Sequence, residues 1–153
     1  MTFEVGKMSE DDRLREILTK YKVVAIVGLS NTLGKPSHRV GAYLKNHGFQ
    51  IIPVNPNAAE VLKEKSYNSL LEIPPEIQKT IEIIDIFRKP ADVLPIVEQA
   101  VKLKELFGQP FVVWMQKEIV NEQAARLAEA AGLTVVMDKC MMVEHQRLAH
   151  TNH

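Results

Sequence analysis

The chain has 153 residues, 46% of them hydrophobic, with 19 Lys and Arg balanced by 19 Asp and Glu. That length fits one domain, expected over residues 1–153, able to bury about two-thirds of its unfolded surface, and the zero net charge leaves no bulk field for nucleic acid or an anionic membrane. The apolar runs are strand-sized, residues 1–12 lack a signal-peptide core, and the lone Cys140 excludes an internal disulfide and a Cys-only metal site, so a cytoplasmic location is expected.

Residues 9–21 read as a helix: Ser9 and Asp12 resemble a capping box, and Leu14, Ile17, Leu18 and Tyr21 recur at helical spacing. Val23 to Val27 is a continuous apolar run without alternation, as in a parallel strand covered on both faces. Gly28 ends it. The following LSNTLGKPS carries Ser30, Asn31, Thr32 and Ser37 as polar donors, Gly34 as a hinge, and Lys35 and Arg39 as fixed positive charge. A helix opening near Pro36 or Ser37 adds unpaired backbone N–H groups and a positive dipole end, and a phosphate or pyrophosphate satisfies both. Val40, Tyr43, Leu44 and His47 continue that helix to Gly48. The glycines, Gly28 and Gly34, meet neither the G-x-G-x-x-G fingerprint nor the P-loop spacing. The composition of the loop is what favours a phosphate or nucleotide site over an ordinary strand-to-helix connection.

Phe49 to Val54 reads as a second strand, with Asn55-Pro56-Asn57 turning at its carboxyl end. A dinucleotide-binding domain places an acid there to hold the adenosine ribose diol, and the chain has Asn55, which argues against NAD. Ala58 to Lys65 is read as a short helix, Ser66 and Tyr67 as extended, and Ser69 to Glu72 as one helical turn before Pro74-Pro75. Residues 80–87, TIEIIDIF, form a third strand, in which Asp85 is expected to hydrogen-bond a neighbouring backbone or loop. Phe87, Arg88 and Lys89 follow at its carboxyl end. A helix over 92–107, a strand at 110–115 ending in Trp114, Met115 and Gln116, a helix from Asn121 to Ala131 and a strand at 133–137 complete the alternation. Cys140 precedes a terminal helix in which Met142 and Leu148 are expected to pack and Glu144, His145 and Arg147 to be mostly solvated, before a frayed end at 150–153.

Five strands alternating with helices imply an α/β fold: a single Rossmann-like domain with a five-stranded parallel sheet, order 3-2-1-4-5, and helices on both faces. The flavodoxin-like order 2-1-3-4-5 is the alternative. Either way each polar cluster falls after a strand's carboxyl end, so all of them converge on one cleft.

In these clusters the chain resembles the small stand-alone CoA-binding proteins, and more distantly the CoA-binding domain of the succinyl-CoA synthetase α subunit and of the NDP-forming acyl-CoA synthetases. The stretches are VVAIVGLS with Lys35 and Ser37, VNP at 54–56, YNSLLEIP at 67–74, DIFRKP, VVWMQ and DKCMMVEH, covering about Leu14 to Leu148. The resemblance implies coenzyme A held by its ADP portion, with the pantetheine thiol reaching across the sheet edge. It puts Gly28, Ser30, Lys35 and Ser37 around the phosphates, with Leu29 and Arg39 in the same binding set. Val54, Asn55 and Pro56 lie beside the adenosine, Phe87, Arg88 and Lys89 along the next wall, Gln116 and Cys140 nearer the pantetheine, and Trp114 at the same edge. Two positions depart from the family: Asn57 stands where relatives often have Lys, so that Lys35 or Lys89 must meet the 3′-phosphate, and Lys117-Glu118 stands where relatives often have Gly.

The function expected is binding of CoA or an acyl-CoA, with no evident catalytic machinery. The sequence shows no Ser-His-Asp arrangement, no spaced carboxylate pair and no metal-ligand cluster, and one domain leaves no room for the activating partner domain of a synthetase. The alternatives are a redox device in which Cys140 forms a mixed disulfide with CoA, and an NAD-binding sensor domain. A monomer or modest dimer is expected, with no nucleic-acid or membrane partner.

Overall fold

The computed structural model describes residues 8–149, so the expected frayed end at 150–153 lies outside the described residues. Along the chain come α1 (Glu10–Lys20), β1 (Val23–Val27), α2 (Pro36–Asn46), β2 (Gln50–Val54), β3 (Glu60–Val61), β4 (Glu64–Lys65), α3 (Pro75–Gln78), β5 (Ile83–Ile86), α4 (Val93–Phe107), β6 (Val112–Met115), α5 (Glu122–Ala130), β7 (Thr134–Val136) and α6 (Met141–Ala149). Side chains cap α1 and α5 as the sequence leads one to expect. Ser9 Oγ accepts from the Asp12 amide at α1, and Asn121 Oδ1 accepts from the Ala124 amide at α5.

The main sheet is parallel throughout, in the order β2-β1-β5-β6-β7. Counting those five strands alone, this is 2-1-3-4-5. The five-stranded parallel sheet is therefore as expected, and the order corrects the expected 3-2-1-4-5. Pro53 supplies the physical reason. Its carbonyl faces away from β1 and accepts from the Tyr67 amide at 3.1 Å, and on that outer side it has no N–H to give a further strand. β2 is thus suited to an edge, while β5, buried at all four positions, takes the centre beside β1. The exposed side of β2 is covered locally: Tyr67 bridges Val54, and the Asn55 amide donates to Tyr67 O at 2.8 Å.

Residues 60–65, expected to be helical, form an antiparallel hairpin instead. Leu62 and Lys63 both take left-handed backbone angles, φ 53° and 65°, the pairing a two-residue hairpin turn requires. Neither residue is the Gly or Asn that usually announces such a turn. Lys45 of α2 holds the hairpin by donating to Leu62 O at 2.6 Å and pairing with Glu64 at 2.8 Å.

Helices cover both faces. On one, Leu14, Val40, Leu44 and Met141 from α1, α2 and α6 pack on Val24, Ile26 and Trp114; on the other, Val97, Ala100 and Ala128 from α4 and α5 pack on Ala25, Ile84 and Val113. Met141 is the fully buried methionine of α6, and Met142, as expected, packs partly buried against the same cluster. Arg147 joins α6 to α1 by a two-pronged contact with Asp11 at 2.9 and 2.7 Å and also binds Glu144 at 2.6 Å. Glu144, expected in solvent, is for that reason among the buried residues. No helix among the described residues is long and apolar enough to cross a membrane.

Asp85 does not behave as expected. It is fully buried, paired in register with Ile26 and Trp114, and neither carboxyl oxygen meets a hydrogen-bond partner among the described residues. Burial pushes its carboxyl well above the usual carboxylate range, because nothing there compensates the lost hydration of the anion. The folded state therefore holds a proton that the unfolded chain releases near pH 4. The Asp85 contribution is most favourable below that pH and is lost as pH rises toward the folded value. Asp85→Asn should remove this slope, so that its stability advantage over wild type, read from urea midpoints, grows as pH rises above about 4. Asp85→Leu, which removes the unpartnered polar group, should gain about 1–3 kcal/mol at neutral pH. Parallel wild-type and Asp85→Asn curves from pH 4 to 8 would contradict a buried neutral acid.

Candidate anion-binding site at the carboxyl edge

Gly28 brings three strand ends together. Its backbone has φ +89°, its amide donates to Val54 O at 2.8 Å, and a Cβ on it would lie 2.3 Å from Phe87 O. Only glycine tolerates both the angle and the approach. Leu29, next in the loop, is fully buried and packs against Gly41 of α2, where a Cβ would come within 2.8 Å of the Leu29 Cδ1. Leu29 therefore serves as a hydrophobic plug, and its part in the site is that of its backbone.

The loop is held by its own hydroxyls. Ser37 Oγ accepts from the Ser30 amide at 2.9 Å, and Ser30 Oγ accepts from the Thr32 amide at 3.0 Å. Each hydroxyl keeps its own proton for another acceptor. α2 begins with Pro36, as the sequence indicated, and Lys35 gives it no side-chain cap. The first backbone bond of the helix runs from Arg39 N to Lys35 O at 3.0 Å, upstream of which lie the Ser37 and His38 amides. Arg39 itself folds back to Gly34 O at 3.3 Å.

Two cavities meet at this edge. The larger, about 300 Å³, is lined by Gly28, Lys35, Pro36, Ser37, Phe87, Arg88, Lys89 and Ile119. It thus has three cations and no carboxylate in its wall. The smaller, about 130 Å³, is lined by Val27, Val54, Pro56, Asn68, Ser69, Leu70, Arg88, Ile96 and Gln99. Arg88 lines both. Ile119, Asn68, Ser69, Ile96 and Gln99 were not singled out from sequence, although Asn68 and Ser69 lie in the YNSLLEIP stretch. A separate groove of about 450 Å³ along α1, lined by Met8, Asp12, Arg15, Glu16, Thr19 and Lys20, includes none of the expected site residues.

Other expected residues are placed differently. Asn55 spends its side chain on the protein: Nδ2 donates to Leu29 O at 2.9 Å and Oδ1 accepts from the Asn57 amide at 2.8 Å. Trp114 is fully buried with its indole N–H on Lys139 O at 2.8 Å, so its ring is core and not a stacking surface. Gln116 is buried and its Oε1 accepts from the Met141 amide at 3.1 Å, aligning the start of α6. Cys140 is a half-buried free thiol immediately before that helix. Neither cavity is lined by Trp114, Gln116 or Cys140.

The turn after Gln116 carries Lys117-Glu118, where the resemblance leads one to expect a glycine. Glu118 takes φ 70° and donates its amide to Asp138, itself at φ 59°, at 2.6 Å. That amide, with Lys117 beside it, holds the Asp138 carboxyl below the usual carboxylate value. A charge-assisted hydrogen bond thus offsets the cost of a side chain in left-handed backbone.

A parallel sheet with an uncapped helix and a cationic cavity at its carboxyl edge defines an α/β domain built to hold an anionic ligand. The chain belongs to the CoA binding domain family, whose model matches residues 22–146. It is 36% identical over 132 residues to the uncharacterized protein YneT of Bacillus subtilis strain 168, covering 86% of this chain and 91% of that one. It is 39% identical over 93 residues to an ADP-forming acetate–CoA ligase of Archaeoglobus fulgidus, a match covering 60% of this chain and 13% of the ligase. Among solved structures, a hypothetical protein from Pyrococcus horikoshii OT3 superposes with a TM-score of 0.83 at 40% identity, over 97% of this chain and 98% of that one.

Glu118→Gly is expected to stabilise the fold by about 0.5–1 kcal/mol, since relief of left-handed strain exceeds the entropy glycine adds to the unfolded chain. A lowered urea midpoint would show that the Glu118 side chain contributes more than the backbone angle costs.

Proposed function

We propose that the protein binds CoA or an acyl-CoA at this edge, holding the ligand through its phosphates and adenosine. The observation that carries the reading is the larger cavity: Lys35, Arg88 and Lys89 around an uncapped helix start, with no acid in the wall, inside the segment the family model matches. The pyrophosphate lies against the start of α2 and the hydroxyls of Ser30 and Ser37. Adenosine occupies the smaller cavity beside Val54 and Pro56, where Ser69 and Gln99 offer polar groups to the base. With Asn57 exposed and uncharged, Lys35 and Lys89 supply the positive charge for the 3′-phosphate. On this reading the domain recognises its ligand and contributes no catalytic group. An NAD reading finds less support, because the Asn55 amide is already bonded to Leu29 and Asn57 and the position has no carboxylate for the ribose diol.

A second reading rests on the free thiol of Cys140. Its thiolate attacks a CoA disulfide, forming a Cys140–CoA disulfide and releasing the other thiol of the original pair, so no external oxidant is needed.

Titration calorimetry with CoA, dephospho-CoA and NADH tests the main reading. CoA should bind more tightly than dephospho-CoA, and Arg88→Ala should weaken CoA binding about tenfold or more. Binding of NADH in preference to CoA, or no binding of CoA, would overturn it. Native mass spectrometry tests the thiol: an added CoA mass that disappears on reduction and in Cys140→Ser supports the disulfide, and an unmodified wild-type mass after incubation with CoA disulfide rules it out.

A further inference from the structure

We infer that Asn55 is a positioning residue, setting the anion-binding loop through Leu29 and making no contact with the ligand. The inference rests on the proposed binding of CoA at this edge and assigns Asn55 a role other than that of an adenosine contact.

The geometry follows from where the β1–β2 ladder stops. The last backbone link is Gly28 N to Val54 O at 2.8 Å. Beyond it the ladder has no donor, because the Asn55 amide is given to Tyr67 O on the opposite side and Pro56 has no N–H. The Asn55 side chain takes over, its Nδ2 reaching Leu29 O at 2.9 Å. Two successive loop residues, Gly28 and Leu29, are thereby fixed to the end of β2.

The rest of Asn55 is fixed as well. Its Oδ1 accepts from Asn57 N at 2.8 Å and its carbonyl accepts from Ser66 Oγ at 3.2 Å. With the backbone amide on Tyr67, each hydrogen-bonding group of the residue has a protein partner. The next loop residue after Leu29 is Ser30, whose amide and hydroxyl organise the turn toward Ser37. Fixing the Leu29 carbonyl thus fixes the peptide plane that leads into the phosphate-facing part of the loop. An acid at position 55 would set a carboxylate oxygen against Leu29 O, acceptor against acceptor. Asparagine meets a requirement that aspartate cannot.

Two variants isolate the Leu29 link. Asn55→Asp and Asn55→Ser each retain an oxygen able to accept from Asn57 N, and neither can donate across to Leu29 O, the serine being too short. The serine carries no charge and so separates loss of the link from simple repulsion of the ligand. Binding of CoA and of inorganic pyrophosphate, which has no adenosine, is measured by NMR titration. Amide hydrogen exchange of residues 29–33 is followed without ligand, and circular dichroism confirms that each variant folds. The expected result is a loss of about fivefold in affinity for both ligands in Asn55→Ser, the worth of about one hydrogen bond, with faster exchange at residues 29–33. Loss for CoA with pyrophosphate binding unchanged would overturn the inference in favour of direct adenosine contact. Weakening in Asn55→Asp alone would overturn it in favour of charge repulsion. Wild-type protein that binds neither ligand brings down the proposed function, while unchanged exchange at 29–33 in Asn55→Ser brings down the Asn55 role by itself.

Discussion

The close passage of Gly28 beneath the Phe87 carbonyl is the constraint from which the edge is built. A Cβ would stand 2.3 Å from that oxygen, so the ends of β1 and β5 approach more nearly than any other residue allows. The approach carries Phe87, Arg88 and Lys89 over the mouth of the β1 loop and puts them in one wall with Lys35 and Ser37. It also leaves the Gly28 amide on Val54, which keeps β2 in line. One missing methyl thus determines how three strand ends are arranged, and the charge of the cavity is a consequence of that arrangement.

The sequence exposes some of this directly. Short apolar runs rich in β-branched residues identify the five main strands, the one at Val23–Val27 continuous as in a parallel strand buried on both faces and the one at residues 80–87 interrupted by Glu82 and Asp85. The start of α2 at Pro36 and the gathering of polar residues beyond the strand ends were also legible. Strand order was not, because local patterns say nothing about which side of β1 the chain returns to. Pro53 held the information, in the direction its missing N–H faces, and that direction is known only once the register is. The Leu62-Lys63 turn was missed because neither residue announces left-handed backbone, and Glu118 for the same reason.

The site was legible in part. Gly28, Lys35, Ser37 and the Phe87–Lys89 wall meet as their positions predicted, and a buried Trp114 is the ordinary fate of that side chain. Asn55 draws notice in the sequence for the acid it replaces and, through the resemblance, as a neighbour of the adenosine, and only the structure shows its side chain donating to the Leu29 carbonyl. Gln99 and Ile96 reach the smaller cavity from the face of α4 nearest the edge, and no local composition distinguishes them from core and surface positions of the same helix. Asp85 was expected to have a partner because buried acids usually do, and a strand centred between Ile26 and Trp114 leaves it none.

The ion pair between Asp11 and Arg147 joins residues 136 positions apart, and so works on the chain as a noncovalent clasp near its two ends. It adds to the apolar contacts that already seat both helices on the same face of the sheet, through Leu14 of α1 and Met141 of α6. The first peptide of α6 is in turn bonded to Gln116 through Met141, and the residue before it is Cys140. The clasp is half exposed, so salt screens it, whereas the Gly28 side of the edge is held by backbone bonds at the ends of the central strands.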